Sequence, residues 1–201
     1  MVMGSSPKGS LMPIQHRVYE YKRLEKIARL VEGDSVLDIG YAQIPNPYFQ
    51  VKHRTGLDLE KPKESLYEEE LVGDATKLRE VLGDRKFDTV VAGEFIEHIE
   101  TPYEFLRSLK RVLNPGGRVI LSSPNPLSWP VIGFELIQSQ NFFYTQEHLY
   151  YFTPRWMARL IKGSGFQLER MEGVGLFFPG LPFVLPCPVA LAYQVIYVVK
   201  V

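Results

Sequence analysis

Cysteine is nearly absent from this sequence, and long apolar runs are absent altogether. Cys187 is the only cysteine among 201 residues, so an intrachain disulfide is excluded. No stretch reaches the ~18 uninterrupted apolar residues that a membrane-spanning helix needs. The opening segment, MVMGSSPKGSLMP, holds no apolar run long enough for a secretory signal. We therefore expect a cytoplasmic protein without a transmembrane segment.

An excess of one charge is also missing, since 23 Lys and Arg residues balance 23 Asp and Glu residues. Nucleic-acid-binding domains usually present a basic face, so a nucleic-acid partner is not expected. The four histidines and the single cysteine do not fall at the spacing of metal-ligand motifs, so no metal site is predicted. Cys187 lies among prolines and is expected to be chemically inert.

The remaining composition is that of one ordinary globular domain. Hydrophobic residues make up 45% and charged residues 23% of the chain, both typical of a folded soluble protein. We expect a disordered lead over residues 1–13 and a single domain over 14–201. Within that domain, residues 174–192 form an apolar excursion broken by prolines.

Helical and strand patterns alternate along most of the chain. Helical periodicity predicts helices over residues 14–31, 99–113 and 152–166. Short apolar segments predict strands in SVLDIG, RTGLDLE, LVGDATKL, FDTVVAGEF, RVILSSPNP, QLERMEG and AYQVIYVVKV, with NPGG (114–117) as a turn. This order indicates a doubly wound α/β fold with a parallel sheet, and the last two strands are expected to pair antiparallel at its edge.

Acidic residues stand at or near the ends of three successive predicted strands, namely Asp38, Asp58 and Asp74. In doubly wound sheets, ligands bind beyond the carboxyl ends of the strands. The interval 58 − 38 = 20 residues matches the offset of about 20 residues at which an acid binds a ribose. The three acids therefore predict a nucleoside-like ligand, although each could instead cap a helix or face solvent.

Several segments in order carry a resemblance to a known family. These are VLDIG, GLDLE, GDATKL, the block from residue 87 to 126 that contains EFIEHIETPYEFLRSLKRVLNPGG, and EHLYYFTPRWMARLIKGSGF. Together they resemble the class I S-adenosylmethionine-dependent methyltransferases, in the ubiquinone-biosynthesis-like branch (methyltransferase type 11), over residues 33–173. The resemblance implies a Rossmann-like seven-stranded sheet, mostly parallel, with an antiparallel last strand.

The resemblance also implies S-adenosylmethionine as the cofactor and assigns residues to it. Asp58 would hold the ribose hydroxyls, Asp74 would flank the adenine, and Gly93 and Glu94 would line the methionine side. The full set of implied cofactor-binding residues is Asp38, Gly40, Ala42, Asp58, Leu59, Asp74, Ala75, Ala92 and Gly93.

The loop after the first strand departs from the family pattern. Ala42 and Ile44 stand where the second and third glycines are expected, and Pro45 and Pro47 follow. Glycine permits positive φ and close backbone approach, but S-adenosylmethionine has no pyrophosphate that would require a bare backbone. We interpret the loop as a rebuilt cofactor turn. The alternative is a non-catalytic binding or assembly protein that keeps the fold and has lost the cofactor.

The expected reaction is in-line attack of a small-molecule acceptor on the activated methyl group, with the protein mainly positioning the reactants. His98, His148 and Glu94 are the candidate catalytic residues, with Glu97 as a further acid, because an acceptor hydroxyl must lose a proton. Either histidine could instead serve only as a structural hydrogen-bond partner.

Aromatic residues crowd the segment 141–152, and the excursion 174–192 has no Lys or Arg. The aromatic segment predicts an acceptor wall or lid, or else a satellite hydrophobic cluster. The excursion is expected to cover the pocket or form a homodimer face, with peripheral membrane contact left open. An apolar or aromatic acceptor, methylated on oxygen, is favoured. A nicotinamide oxidoreductase is disfavoured because the glycines that bind pyrophosphate are missing.

Overall fold

The structure, a computed structural model, describes residues 14–64, 66–136, 148–177 and 183–201. The expectation for the lead 1–13 lies outside these residues. The helices are α1 (Ile14–Leu30), α2 (Leu78–Leu82), α3 (Pro102–Leu109), α4 (Trp129–Leu136) and α5 (Pro154–Gly163). The strands are β1 (Ser35–Ile39), β2 (His53–Asp58), β3 (Glu69–Val72), β4 (Phe87–Gly93), β5 (Leu113–Pro124), β6 (Gln167–Gly173), β7 (Leu176–Phe177), β8 (Val184–Leu185) and β9 (Gln194–Lys200).

Seven strands form one sheet in the order β3-β2-β1-β4-β5-β9-β6. The first five strands of that order run parallel to one another. Strand β9 lies between β5 and β6 and is antiparallel to both. The predicted fold class is therefore confirmed, including the reversed last strand.

Both faces of the sheet are covered, which explains the unbroken apolar runs of its central strands. Successive side chains on a strand point to opposite faces. Accordingly Leu37 and Val90 belong to one buried cluster, and their neighbours Val36 and Val91 belong to another. The predicted core strands are therefore buried from both sides.

The helix after residue 152 shows how local sequence defines an element. The Thr153 hydroxyl caps α5 by accepting a hydrogen bond from the Trp156 amide at 3.4 Å. Met157, Leu160 and Ile161 then recur at helical spacing and are all buried. The apolar face of α5 therefore packs against the sheet.

Three local features differ from the sequence prediction. The predicted turn NPGG lies inside β5, where the register to β4 shifts between Phe87 and Thr89. The connection after β5 contains helix α4, which its almost wholly apolar sequence did not reveal. The apolar excursion holds the small β7–β8 hairpin. Across the described ranges, no helix combines the length and apolar character that crossing a membrane requires.

Candidate active site

The carboxyl ends of β1, β2 and β4 meet at one edge of the sheet. Strand β1 has β2 on one side and β4 on the other. The strand order of the sheet therefore reverses at β1. Asp38 pairs in register with Gly56, and Ile39 pairs with Ala92. Asp58 and Gly93 end the flanking strands. The structure thus brings these predicted residues together at the topological switch point, where doubly wound folds bind ligands.

The rebuilt loop after β1 needs glycine at only one of the three family positions. Gly40 has φ +73°, a conformation that favours glycine, and its amide donates to the Leu57 carbonyl at 2.9 Å. Among the described non-glycine residues, only Glu94 has a positive φ. Ala42 therefore occupies its place without backbone strain, which answers the question raised by the missing glycines.

Asp58 is tied to this loop by hydrogen bonds to backbone amides. Its Oδ2 atom accepts from the Ala42 amide at 2.8 Å, and its Oδ1 atom accepts from the Leu59 amide at 2.7 Å. A carboxylate has further lone pairs, so these bonds leave acceptor capacity for hydroxyl groups. Asp58 is therefore held in a fixed orientation at the edge of the site.

Aromatic residues that the sequence analysis left unassigned fill the space beneath the loop. The Tyr41 ring lies against the backbone of Gly56, where a Cβ would stand 2.3 Å from Tyr41 Cζ. Tyr41 stacks on Tyr67 with ring centroids 5.0 Å apart. The Tyr67 hydroxyl donates to Asp38 Oδ2 at 2.5 Å and accepts from the Asn46 amide at 2.8 Å.

Asp38 is buried and electrostatically perturbed. Burial raises the pKa of its carboxyl to about 7, while the hydrogen bond from Tyr67 and the charge of Arg23 lower it and the charge of Asp58 raises it. The group therefore titrates near neutral pH. Its ionised form depends on neighbouring donors and cations.

A buried polar network, formed by Glu20, Arg23, Glu94, Ser122 and Gln194, lies beside the end of β4. Arg23 donates to Glu20 through Nε at 3.0 Å and through Nη2 at 2.5 Å, and through Nη1 to Ser122 Oγ at 3.3 Å. Gln194 Nε2 donates to Glu20 at 3.0 Å and to Glu94 at 2.9 Å. The network joins α1, β4, β5 and β9 at the site.

Arg23 is a site residue that sequence reasoning missed. A Cβ on Gly93 would lie 2.5 Å from Arg23 Nη1, so only glycine lets the guanidinium approach the strand end this closely. Nothing in the helical periodicity of α1 distinguished this arginine from a solvent-facing one. Its contact with Ser122 spans 99 positions of sequence.

Glu94, a predicted catalytic residue, belongs to the buried polar network. Its φ is +52°, and its carboxylate accepts from Ser122 Oγ at 3.0 Å as well as from Gln194. Burial raises the pKa of Glu94 to about 7, whereas Arg23 lowers it and Glu20 raises it. This left-handed backbone conformation is uncommon for a residue other than glycine.

The two predicted catalytic histidines lie against each other. The rings of His98 and His148 are 4.7 Å apart in an edge-to-face arrangement. The Glu97 carbonyl accepts from the Leu149 amide at 2.8 Å, which holds the second histidine's segment beside the first. Burial, and to a lesser degree His98, lowers the pKa of His148 to about 4, so its imidazole is neutral at physiological pH.

The side chain of Glu97 completes this cluster. It is buried, and neither carboxyl oxygen has a hydrogen-bond partner among the described residues. Burial, followed by the charge of Glu94, raises its pKa well above the ordinary value. One ligand atom each from Glu97, His98 and His148 lie within 4.8 Å of one another, close enough to hold a metal ion. The expectation of no metal site rested on spacing along the chain, which does not reveal this cluster.

Asp74 lies beyond the end of β3 and caps the following short helical turn. Its Oδ1 atom accepts from the Thr76 amide at 2.8 Å and from the Thr76 hydroxyl at 2.6 Å. These bonds, the hydroxyl first, lower the pKa of Asp74. The next residue, Ala75, is buried. Asp74 therefore acts as a helix cap, as the alternative interpretation of this acid predicted. Its contact with the adenine stays a prediction.

The predicted aromatic wall is described only from His148 onward. Tyr150 stacks on Phe152 with centroids 5.7 Å apart, and the Tyr150 hydroxyl donates to the Glu100 carbonyl at 3.1 Å. Residues 142–144 of that wall, the side chain of Phe134 and residues 178–182 of the excursion lie outside the described residues. Exposed apolar side chains in the same regions are Leu127, Trp129, Ile132, Phe183, Leu185 and Leu191.

Comparison with curated proteins identifies partial relatives. The ubiquinone biosynthesis O-methyltransferase of Aeromonas salmonicida is 29% identical over 93 residues, which are 44% of this chain and 39% of that protein. The protein of the same description from Dechloromonas aromatica is 32% identical over 93 residues, 44% of this chain and 40% of that protein. The matched region thus spans less than half the length of these relatives.

Solved structures share the fold over nearly the whole chain. A protein of Thermotoga maritima described as a SAM-dependent methyltransferase has a TM-score of 0.69 at 17% identity, covering 93% of this chain and 90% of that one. Magnesium protoporphyrin IX methyltransferase of Synechocystis, solved with bound SAH, has a TM-score of 0.64 at 15% identity, covering 97% and 89%. At such identities the likeness establishes the fold.

A family model described as a methyltransferase domain matches residues 14–170, from α1 into β6. This range includes the rebuilt loop, the strand-end acids and the histidine pair. The chain therefore belongs to this methyltransferase-domain family. This confirms the predicted class I S-adenosylmethionine-dependent family, whose cofactor is S-adenosylmethionine.

Proposed function

We propose that this protein uses S-adenosylmethionine to methylate an oxygen atom of a small apolar or aromatic molecule. The observation that carries the proposal is a charge imbalance at the end of β4. Three carboxyl groups, those of Glu20, Glu94 and Asp38, surround the single guanidinium of Arg23. A ligand that brings cationic groups would balance them.

S-adenosylmethionine fits this imbalance. Its methionine end carries an ammonium, a sulfonium and one carboxylate, so its cations match the acids and its carboxylate matches the guanidinium. The pKa values of Asp38 and Glu94 are raised to about 7 by burial, and a bound cation would favour their ionised forms. We infer that Arg23, whose Nη1 atom lies directly against the backbone of Gly93, receives the carboxylate.

The remaining cofactor contacts follow the strand ends. Asp58, oriented by the Ala42 and Leu59 amides, is assigned to the ribose hydroxyls. Ala75 and Asp74 are assigned to the adenine, and Ala92 with Gly93 to the methionine side. The unstrained backbone at Ala42 supports a working cofactor loop over the alternative of a protein that has lost its cofactor.

The bound cofactor supplies a methyl group on an intrinsically activated sulfonium. The protein must then orient the acceptor and take its proton. We assign the proton to the pair His98 and His148, because the two rings are in contact and imidazole is the usual general base of proteins. Glu94 is assigned to the cofactor side, since Ser122 and Gln194 already bind its carboxylate.

The acceptor class is inferred from the surfaces that follow β5 and β6. Tyr150, Tyr151 and Phe152 follow His148 after one intervening residue, and the excursion 174–192 is free of charged residues. Such surfaces favour a flat apolar or aromatic acceptor. The partial relatives are O-methyltransferases by name, which supports oxygen as the atom methylated. We further propose a cytoplasmic protein with a single domain over residues 14–201 that acts on no nucleic acid.

Calorimetric titration of the purified protein with S-adenosylhomocysteine and, separately, with NADH tests the cofactor assignment. We expect about micromolar affinity for the first and no binding of the second. Transfer of a labelled methyl group is then compared between simple phenols or catechols and aromatic amines of matching shape. Transfer to the amines alone would contradict oxygen as the target. Failure to bind S-adenosylhomocysteine would favour the non-catalytic alternative.

A further inference from the structure

Tyr67 comes from the connection between β2 and β3, yet it reaches the loop that follows β1. Its hydroxyl contacts residues 29 and 21 positions away in sequence, at Asp38 and Asn46. It is buried, and no motif of the sequence drew attention to it. Tyr67 thus lies between the strand-end acid Asp38 and the rebuilt turn, and it contacts both.

The two hydrogen bonds of the Tyr67 hydroxyl have a fixed direction. The Asn46 amide can only donate, so the hydroxyl accepts there, at 2.8 Å. Its single hydrogen is then directed at Asp38 Oδ2, 2.5 Å away. This geometry requires an acceptor oxygen on Asp38 and therefore favours the ionised carboxylate.

The Tyr67 ring supports the same loop through packing. It stacks on Tyr41 at 5.0 Å and lies 6.0 Å from Phe49. Tyr41 is thereby held between Tyr67 and the bare backbone of Gly56. The residue that follows Tyr41, Ala42, donates to Asp58. One side chain thus links the positions of both strand-end acids.

We propose that Tyr67 is a positioning residue of the cofactor site: its hydroxyl favours the ionised form of Asp38 and ties this residue to the turn at Asn46, so that part of the pH dependence of cofactor affinity comes from Asp38. This inference rests on the proposed function, since the ligand is S-adenosylmethionine or its product. The ionised Asp38 carboxylate is the form that favours the cationic methionine end of that ligand.

The charges that face Asp38 set the direction of this dependence. Arg23 from α1 and the Tyr67 hydroxyl favour the carboxylate, and Asp58 from β2 and burial oppose it. On β4 the residue in register is the apolar Val91. Tyr41, in the loop itself, has a pKa raised to about 12 chiefly by burial and stays neutral. Removal of the Tyr67 hydroxyl therefore raises the pKa of Asp38. When the pH is lowered, Asp38 is then protonated earlier, and cofactor affinity falls at a higher pH than in the unsubstituted chain.

The test is titration of S-adenosylhomocysteine into the unsubstituted chain and Tyr67→Phe between pH 5.5 and 8.5. Tyr67→Phe keeps the ring and removes only the hydroxyl. We expect about ten-fold weaker binding near pH 7, a much smaller loss at pH 8.5, and loss of hydrogen-exchange protection at the Asn46 amide. Tyr48→Phe is the matched control, because Tyr48 is an exposed tyrosine of the same loop.

Three outcomes decide the matter. Equal affinity of Tyr67→Phe at every pH would overturn the proposal and leave the proposed function intact. A loss of affinity that is the same at every pH, with the Asn46 amide still protected, would also overturn it, because the hydroxyl would then have only a general structural effect. If the unsubstituted chain itself does not bind, the proposed function fails and this proposal with it.

A second variant isolates the acid. Asp38→Asn cannot ionise, so the pH dependence of its affinity between 5.5 and 8.5 should shrink to the part that Glu94 contributes. Adding Tyr67→Phe to Asp38→Asn should then change affinity by less than about two-fold. A full ten-fold further loss in the double variant would show that the hydroxyl acts on something other than Asp38, and would overturn the proposal.

Discussion

The backbone amide of Ala42 donates a hydrogen bond to Asp58 Oδ2 at 2.8 Å, joining the loop after β1 to the end of β2. Position 42 is one of the two where the family glycine is missing. The substituted residue therefore takes part in orienting the acid that we assign to the ribose. The residue that replaces the family glycine and the strand-end acid are therefore joined by a direct hydrogen bond.

Replacing Asp58 should weaken cofactor binding directly. For Asp58→Ala we expect a loss of about 1.5–3 kcal/mol in the affinity for S-adenosylhomocysteine, the range of hydrogen bonds to a charged group. Calorimetric titration measures it. The control is Asp34→Ala, which removes an exposed carboxylate paired with Lys52 just before β1. Unchanged affinity in folded Asp58→Ala would show that the ribose assignment is wrong.

Glycine substitutions should have opposite consequences at two positions of the loop. Ala42→Gly places glycine where no positive φ is needed, so we expect no gain in affinity and a loss of about 0.4–1 kcal/mol in the free energy of unfolding. Gly40→Ala meets a φ of +73° and a Phe95 ring atom 2.9 Å from the new Cβ, and should cost at least about 1–2 kcal/mol. Urea denaturation compares the two. Tighter cofactor binding by Ala42→Gly would contradict the unstrained turn.

The histidine pair should affect transfer and not cofactor binding. His98→Ala and His148→Ala are each expected to lower the rate of methyl transfer by about 10²–10⁴-fold, the usual contribution of a general base, with S-adenosylhomocysteine affinity unchanged. His53→Ala, an exposed histidine at the start of β2, is the control. Each rate is measured with and without EDTA, because Glu97, His98 and His148 could together hold a metal ion. A large loss of affinity in folded His98→Ala would place this residue at the cofactor instead.

Arg23 should support stability in a pH-dependent way. Arg23→Ala leaves Glu20 and Glu94 without their cation, and we expect a loss of about 3–5 kcal/mol at pH 8.5. Glu94 has a folded pKa of about 7, raised from an ordinary value near 4.3, so its ionisation costs stability as pH rises through that range. At pH 5.5 the carboxyl is protonated, and the loss should be smaller.

Urea denaturation at both pH values measures this difference, with Arg29→Ala as the control on the exposed side of the same helix. Should Arg23→Ala fail to fold, Arg23→Lys keeps the charge and loses the fork of hydrogen bonds. An equal loss at both pH values would show that Glu94 does not respond to Arg23. A loss no larger than that of Arg29→Ala would contradict the stabilising role of the network.

Local signals in the sequence were sufficient for most of the fold. The central strands β1 and β4 are short, mostly apolar runs, and α5 carries both a cap and a clear apolar stripe. Helix α4 was missed because WPVIGFEL is apolar on nearly all sides and so has little helical periodicity. The turn predicted at NPGG falls within the bounds of β5, as an irregularity at which the register with β4 passes from Leu113–Phe87 to Arg118–Thr89.

The site was predictable where a residue ends a strand, and hidden where a contact spans the chain. Asp38 and Asp58 could be placed because parallel strands bring their carboxyl ends to one edge. The contacts of Tyr67 with Asp38 and of Arg23 with Ser122 link residues 29 and 99 positions apart. Nothing in spacing or composition indicates such pairs. The same holds for the approach of His148 to His98.

The place of β9 between β5 and β6 has a consequence for biosynthesis. Strands β1 to β5 are complete once the ribosome has passed residue 124, but the outer edge of β5 and all of β6 lack a sheet partner until residues 194–200 have been made. An open strand edge can pair with another chain. The nascent protein therefore carries an aggregation-prone edge through the last part of its synthesis, and β9 closes that edge when it inserts.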